Sequence, residues 1–532
     1  MENNLFLLHH GLKIERGISM NAEINNSIIY NVYPTSFYDS NGDGIGDLKG
    51  ITEKLPYIKQ FADIVWINPI YKSPFRDGGY DIEDYYAIDE KFGTMEDLRT
   101  LIKEAHKLGL KVLLDLVVGH TSDQHQWFKE SAKAERNEYW DYYIWSDDVF
   151  ASCPYNHMSG NSERDGNYLI NFFCFQPALN FGFAERQYRW QNLYTDEVCQ
   201  RTHGLVIDII KYYMAMGVDG FRVDLAGTIV KGDTNGQCSC EVWRKIFGKV
   251  REEYPEAIFV SEWGQPMYAV KNGDFDIDFF THCYNDGYNN LFRKEPETNA
   301  FYSEGNSFFR ADGQGDAKEF FDYFLHNLDE VKGKGYVSVV TGNHDLPRIA
   351  MGRTLEELKT VFAFILALPS VPLIYYGDEI GMPYKRLKNK DGGYCRTGAR
   401  TPMQWSAGKN AGFSDGDGEM YLPIYDNYTE VNVETQMMEE GSLIKEVQKL
   451  VEIKRTYPEL FGCGNEFELI SDTYPLVFKR TTGEESLICV VNPSEREYAL
   501  DMQLGQVLAS SNVGLSEHKI TMKPISYLWM IN

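Results

Sequence analysis

The sequence predicts an α/β fold built on a TIM (β/α)8 barrel, with a small inserted domain after strand three and a C-terminal antiparallel β-sandwich domain. Three observations carry this. Short apolar runs alternate with helical patterns. Asp63 to Ile70 and Lys111 to Val118 are two such runs, the second nearly all apolar, as a strand buried on both faces must be. The alternation breaks after His120, across a stretch rich in aromatics, Asn and Gly. From about residue 462 the pattern becomes strand-like, as in Tyr474 to Lys479 and Ser486 to Val491. The chain therefore divides into an N-terminal extension (1–26), a first part of the barrel (27–120), the inserted domain (121–187), a second part of the barrel (188–461) and the C-terminal β domain (462–532).

In order, the first barrel strand is Ile28 to Tyr33. Asp39, Asn41, Asp43, Ile45 and Asp47 follow at every second position, interleaved with glycines. That spacing matches the first nine positions of a calcium loop, although Gly50 stands where the twelfth-position glutamate belongs. Three carboxylates repelling one another in nine residues favour a bound cation over a merely solvated turn. After the second strand, Thr94 opens a helix with Asp97 at the capping-box position and an apolar face of Met95, Leu98, Leu101, Ile102, Ala105 and Leu108. A helix over 205–216 restores the barrel and feeds Asp219 to Asp224. Pro255 ends the next helix before the strand Ala257 to Glu262. Tyr336 to Val340 leads to His344 and Asp345, Thr354 caps a helix with Glu357, and Val371 to Gly377 is the last strand. A helix over 442–456 closes the barrel.

The chemistry gathers at strand ends. In Gly220-Phe221-Arg222-Val223-Asp224, Arg222 and Asp224 leave the strand on one face, so the cation can hold the carboxylate ionised and oriented. Glu262 and Asp345 end two other strands. A single acid after a strand is usually a cap or a solvated loop residue. Three at the carboxyl ends of parallel strands mark one assembled site.

Composition narrows the partners. With 532 residues, 43% hydrophobic and 24% charged, the chain is an ordinary globular protein of more than one domain. A net charge of −26 and a pI near 4.9 argue against nucleic acid or an anionic membrane as partner. Nine cysteines without paired spacing read as reduced thiols of a cytoplasmic protein. Leu5 to Leu8 is too short for a signal-peptide core, and nothing reaches membrane-spanning length.

Gly-Phe-Arg222-Val-Asp224, the strand-terminal Glu262 and Asn343-His344-Asp345 resemble the catalytic regions of the α-amylase superfamily, glycoside hydrolase family thirteen, and most of all its α-glucosidase branch. Gln176-Pro177-Ala178-Leu179-Asn180 resembles that family's inserted-domain segment, with alanine in place of aspartate. The resemblance implies a retaining glycosidase with Asp224 as nucleophile, Glu262 as acid/base and Asp345 holding sugar hydroxyls, the carboxyl pair about 5–5.5 Å apart. It implies sugar contacts from His120 and His344, with Arg222 as partner of the nucleophile. Asp81, in Gly-Tyr-Asp, and Arg400, in Ala-Arg-Thr-Pro-Met-Gln-Trp, are expected to clamp the terminal sugar, which makes attack exo. The expected substrate is a short α-1,4 or α-1,6 glucoside, and the expected state a monomer or weak homo-oligomer. An endo-amylase or a trehalose-synthase-type transferase is the alternative, and a non-catalytic transporter subunit does not suit an intact acid triad. The loop cation is expected on Asp39, Asn41, Asp43, the Ile45 carbonyl and Asp47. Gly119 replaces the asparagine usual before His120, and Leu225 the valine or alanine usual after the nucleophile.

Overall fold

The computed structural model describes residues 24–147, 154–280, 286–293, 307–313, 315–393, 396–516 and 518–532. Eight parallel strands form the barrel: β1 (Ile29–Val32), β2 (Ile64–Ile67), β3 (Lys111–Leu116), β4 (Gly220–Val223), β5 (Ile258–Ser261), β6 (Ile277–Phe279), β7 (Tyr336–Ser338) and β8 (Leu373–Tyr375). Each pairs with the next, β8 pairs with β1, and a parallel bridge from Val340 to Leu373 closes the ring. Every described residue of these strands is buried except Lys111, because helices cover the outside and side chains fill the inside.

The helices of eight residues or more are α1 (Leu48–Ile58), α2 (Met95–Lys107), α3 (Glu197–Met214), α4 (Gln237–Arg251), α5 (Pro266–Gly273), α6 (Lys318–Glu330), α7 (Leu355–Ala367) and α8 (Leu443–Thr456). The capping boxes at Thr94–Asp97 and Thr354–Glu357 both form, and Leu98, Leu101, Ile102 and Ala105 face the core. Leu108 lies beyond the last turn and stays exposed. α3 begins well before residue 205; Gly204, a weak helix former, lies inside it. β6 and α5 are too short to show a period, and neither was expected from the sequence pattern.

Short antiparallel strands at Trp145–Ser146, His157–Ser159 and Asn167–Leu169 form the inserted sheet. The returning chain pairs with barrel loops at two places, His120 with Ala178 and Phe183 with Lys231. The C-terminal domain is one six-stranded antiparallel sheet: β9 (Glu466–Ser471), β10 (Leu476–Thr482), β11 (Glu485–Asn492), β12 (Tyr498–Leu500), β13 (Gln506–Ser516) and β14 (Lys519–Ile531). β14 joins its strands, since its first half pairs with β12 and its second with β11 while β13 follows both. One face packs on the barrel, where Trp529 donates to the Ala363 carbonyl of α7.

Residues 24–26 correct the expected extension. Ile24 is fully buried, Asn26 donates to the Lys454 carbonyl of α8, and the Cys463 amide donates to Asn25. Residues 1–23 lie outside the described residues. Cys174, Cys199, Cys238, Cys240, Cys463 and Cys489 are free thiols. Among the described residues no helix is long and apolar enough to cross a membrane.

Candidate active site

Parallel register builds the first corner of the site. Asp115 on β3 and Arg222 on β4 are direct partners, so both side chains project into the barrel at one level. Arg222 Nη1 donates to Asp115 Oδ1 at 2.6 Å and to Asp224 Oδ1 at 3.0 Å. Its Nη2 lies 2.8 Å from Glu262 Oε1, in ion-pair contact without hydrogen-bond alignment. Glu262 Oε2 accepts from the Leu225 amide at 3.0 Å. Leu225 makes that bond by adopting a left-handed backbone (φ 45°), a strained state for a residue with a side chain.

Asp115 also accepts from Trp66 Nε1 (2.8 Å) and the Tyr80 hydroxyl (3.1 Å). Burial pushes its pKa up to about 6, the Arg222 charge opposing. Burial, then the Glu262 charge, raise that of Asp224 well above the ordinary range against Arg222. One guanidinium thus faces three carboxyls, which cannot all ionise cheaply in a dry pocket. The group holds a proton that belongs to it jointly. Below Glu262, Asp278 of β6 accepts from Ser261 Oγ (2.6 Å) and from the amides of Trp263, Gly264 and Gln265, which fixes the turn carrying the acid.

The second corner is built in reverse. Asp345 Oδ1 accepts from Arg396 Nη1 (2.9 Å) and Arg400 Nη2 (3.1 Å), while His344 Nε2 lies 3.2 Å from Oδ2. Burial would raise this carboxyl, yet His344 and the two arginines outweigh it and hold its pKa well below the usual range. His344 Nδ1 meets the Asn68 amide nitrogen at 3.1 Å, and its ring stacks on Tyr80 with centroids 4.9 Å apart. Burial keeps His344 neutral, so Nδ1 accepts and Nε2 carries the proton.

The expected Asp81–Arg400 clamp does not form. Asp81 is wholly buried and accepts from Ser73 Oγ (3.0 Å) and the amides of Arg76 and Asp77 (both 3.1 Å). It shapes its own turn. Arg400 is spent on the His344 carbonyl (2.8 Å), the Asp391 carbonyl (2.7 Å) and Asp345. The ion pair across the mouth is instead Asp77–Arg396, at 2.6 Å, each partner four residues before the expected one. Gln176 of the inserted segment donates to the other Asp77 oxygen at 2.7 Å. The missed signal was the Gly78-Gly79 pair after Asp77. Both glycines have positive φ, and a Cβ on Gly78 would lie 2.8 Å from Arg400 Nη1 and from the Tyr33 hydroxyl.

His120 is also corrected. Its Nε2 meets the Tyr80 carbonyl (2.9 Å) and its Nδ1 the Asn171 amide nitrogen (3.1 Å), so both ring nitrogens are engaged within the protein. Asp115, Asp77, Arg396 and Asn171 are site residues that sequence reasoning passed over.

The geometry is that of a glycosidic-bond site, with three carboxyls on one arginine and a fourth, Asp345, held apart by two others. The chain matches the family model for the alpha amylase catalytic domain over residues 31–462. It belongs to the α-amylase family. It is a glycoside hydrolase on an α-amylase-type barrel. It is 33% identical to an oligo-1,6-glucosidase of Parageobacillus thermoglucosidasius, covering 88% of this chain and 90% of that one. It is 32% identical to a glucan 1,6-alpha-glucosidase of Streptococcus pneumoniae, covering 90% and 93%. A trehalose-6-phosphate hydrolase of Bacillus licheniformis superposes with a TM-score of 0.77 at 27% identity, over 96% of this chain and 99% of that one.

The Asp39–Asp47 loop is folded on its own oxygens. Asp39 accepts from the amides of Asn41, Gly42 and Gly44 (2.7–3.0 Å) and from Ser414 Oγ (2.6 Å). Asp47 accepts from Ser40 and from the Gly50 amide at the start of α1. Exposed Asn41 and Asp43 each accept one backbone amide, from Asp43 and Ile45. Among the described residues no three acidic, His or Cys side chains form a metal-holding group. The donor types suit a hard cation, but the Ser40 and Ser414 hydroxyls must turn away to free Asp39 and Asp47.

Proposed function

We propose that the protein is a retaining, exo-acting α-glucosidase that removes glucose from the non-reducing end of short α-glucosides, with α-1,6 linkages foremost. The Asp77–Arg396 ion pair carries the exo reading. It ties the loop after β2 to the loop after β8 across the pocket and, through Arg396, to Asp345. A charged bar in that place leaves no path for a chain to run through, so the site accepts a terminus. Similarity to relatives named for 1,6-glucosidase activity supports the linkage.

In this reading Asp224 attacks the anomeric carbon. Arg222 is aligned on it, and the left-handed Leu225 turn sets it beside Glu262. Glu262, in contact with Arg222 Nη2 and the Leu225 amide, is the group that protonates the leaving oxygen. Both acids contact one guanidinium, which suits the close carboxyl spacing of retaining enzymes. Asp345, held ionised, receives the sugar hydroxyls and stabilises positive charge at the ring. Leu225, the residue after Asp224, lines with Lys231 a cavity of about 540 Å³, which this reading assigns to the leaving group.

The deciding experiment is product analysis on isomaltose, maltotriose, sucrose, trehalose and starch. Glucose from the small substrates with starch length almost intact is expected. Rapid loss of iodine staining on amylose would indicate an endo-amylase, and isomerised disaccharide from sucrose a transferase. We also infer a structural Ca2+ or Mg2+ on Asp39, Asn41, Asp43, the Ile45 carbonyl and Asp47. It would stiffen the loop before α1 and supply no reacting group. The free thiols support a cytoplasmic location, and a monomer or weak homo-oligomer is the proposed state.

A further inference from the structure

We propose that Asn171, in the inserted segment, is a positioning residue for glycosidic cleavage: held by Lys231, it fixes the tautomer and orientation of His120, and His120 holds the backbone that presents Tyr80 to the pocket. Asn171 Oδ1 accepts from Lys231 Nζ at 2.9 Å. An ammonium donates only, so the amide nitrogen must be the end that faces His120 Nδ1, at 3.1 Å. Nδ1 therefore accepts, the ring proton sits on Nε2, and Nε2 donates to the Tyr80 carbonyl at 2.9 Å. The chain runs without a break from the loop after β4, through the inserted segment, to the loop after β2.

Gly119 makes this possible. A Cβ at residue 119 would stand 2.9 Å from Asn171 Nδ2, so a side chain there would push the Asn171 amide off His120. Residue 119 has given up its own side chain, and a residue about fifty positions later, on a different element, supplies an amide to the same histidine. Downstream, Tyr80 stacks on His344 and donates to Asp115, so a slip at His120 reaches both corners of the site. Burial, then Lys231, keep His120 neutral, its pKa lowered to about 4, while burial brings Lys231 down to about 8. The other titratable groups packed here are Tyr85, whose hydroxyl donates to the His120 carbonyl, and Tyr143, bonded to Thr121.

The inference rests on the glycosidase reading, which wild-type turnover of the same short α-glucoside tests separately. Three full-length variants test the inference: Asn171→Ala, Asn171→Asp and Gly119→Ala, each followed by kcat/KM across pH and by melting temperature. Asn171→Ala and Gly119→Ala are each expected to lower kcat/KM about tenfold or more, mostly in kcat. Asn171→Asp keeps the shape and the Lys231 contact but offers His120 Nδ1 only an acceptor. The ring then donates at Nε2 only as imidazolium, so kcat/KM should gain a new descending limb as pH rises through the raised histidine pKa. A wild-type-shaped pH profile for Asn171→Asp overturns the proposal. So does Asn171→Ala or Gly119→Ala activity within twofold of wild type, or losses that only track melting temperature.

Discussion

Around Arg222, one guanidinium serves Asp115, Asp224 and Glu262; around Asp345, one carboxylate is held by Arg396, Arg400 and His344. The same residue types in opposite ratios give opposite behaviour. An excess of carboxyls keeps a proton in the first corner, where a leaving group needs one. Two guanidiniums and the His344 ring converging on one carboxyl keep Asp345 ionised, where a developing positive charge needs a partner. The pocket separates its acid from its base by counting charges as much as by placing groups.

The comparison breaks first at the reacting carboxyls. Asp224→Asn or Glu262→Gln should lower turnover of a short α-glucoside by on the order of 10⁴-fold or more, with the fold retained by circular dichroism. Near-normal turnover in either would remove that residue from the mechanism. Next is the cation-rich corner. Arg396→Ala leaves Asp77 without its ion-pair partner and Asp345 with one arginine, a loss of about 3–5 kcal/mol for a broken buried pair. It should cut kcat/KM on isomaltose by two to three orders of magnitude without opening attack on amylose. Asp81→Asn, by contrast, should act mainly on melting temperature, since Asp81 only bonds its own turn; a larger kcat/KM loss than for Arg396→Ala would restore the expected clamp.

A smaller effect sharpens the proton argument. Asp115→Asn removes one negative charge from the Arg222 cluster, so the remaining carboxyls hold their proton less tightly. The alkaline limb of kcat/KM should move to lower pH, read from a full pH profile. A limb that stays or moves up would mean the proton is not shared through Arg222. The smallest effect is expected from a chelator, which should lower the melting temperature by a few degrees while leaving initial rates nearly unchanged.

The barrel and its three acids were legible because buried parallel strands are apolar runs, with Asp224 and Glu262 directly after theirs and Asp345 in the loop after β7. Capping boxes at Thr94 and Thr354 were equally local and formed as read. What escaped depends on turns and on partners remote in sequence. Asp77 and Asp81 are both acids beside glycines, and only the fold of the Gly78-Gly79 turn decides which one reaches Arg396. Asp115 lies inside a strand and reads as an interruption of an apolar run until its neighbour proves to be Arg222. Asn171 was invisible because its meaning depends on an absent side chain at Gly119.

The buried stretch at Ile24 to Asn26 has a practical consequence. It is fastened to α8 and to Cys463 at the end of the barrel where the strands begin, opposite the catalytic mouth. An enzyme immobilised or fused at Ile24 would therefore stand on its closed end, with the pocket turned toward incoming sugar. Trimming past Ile24 would instead pull a peg from beneath the barrel.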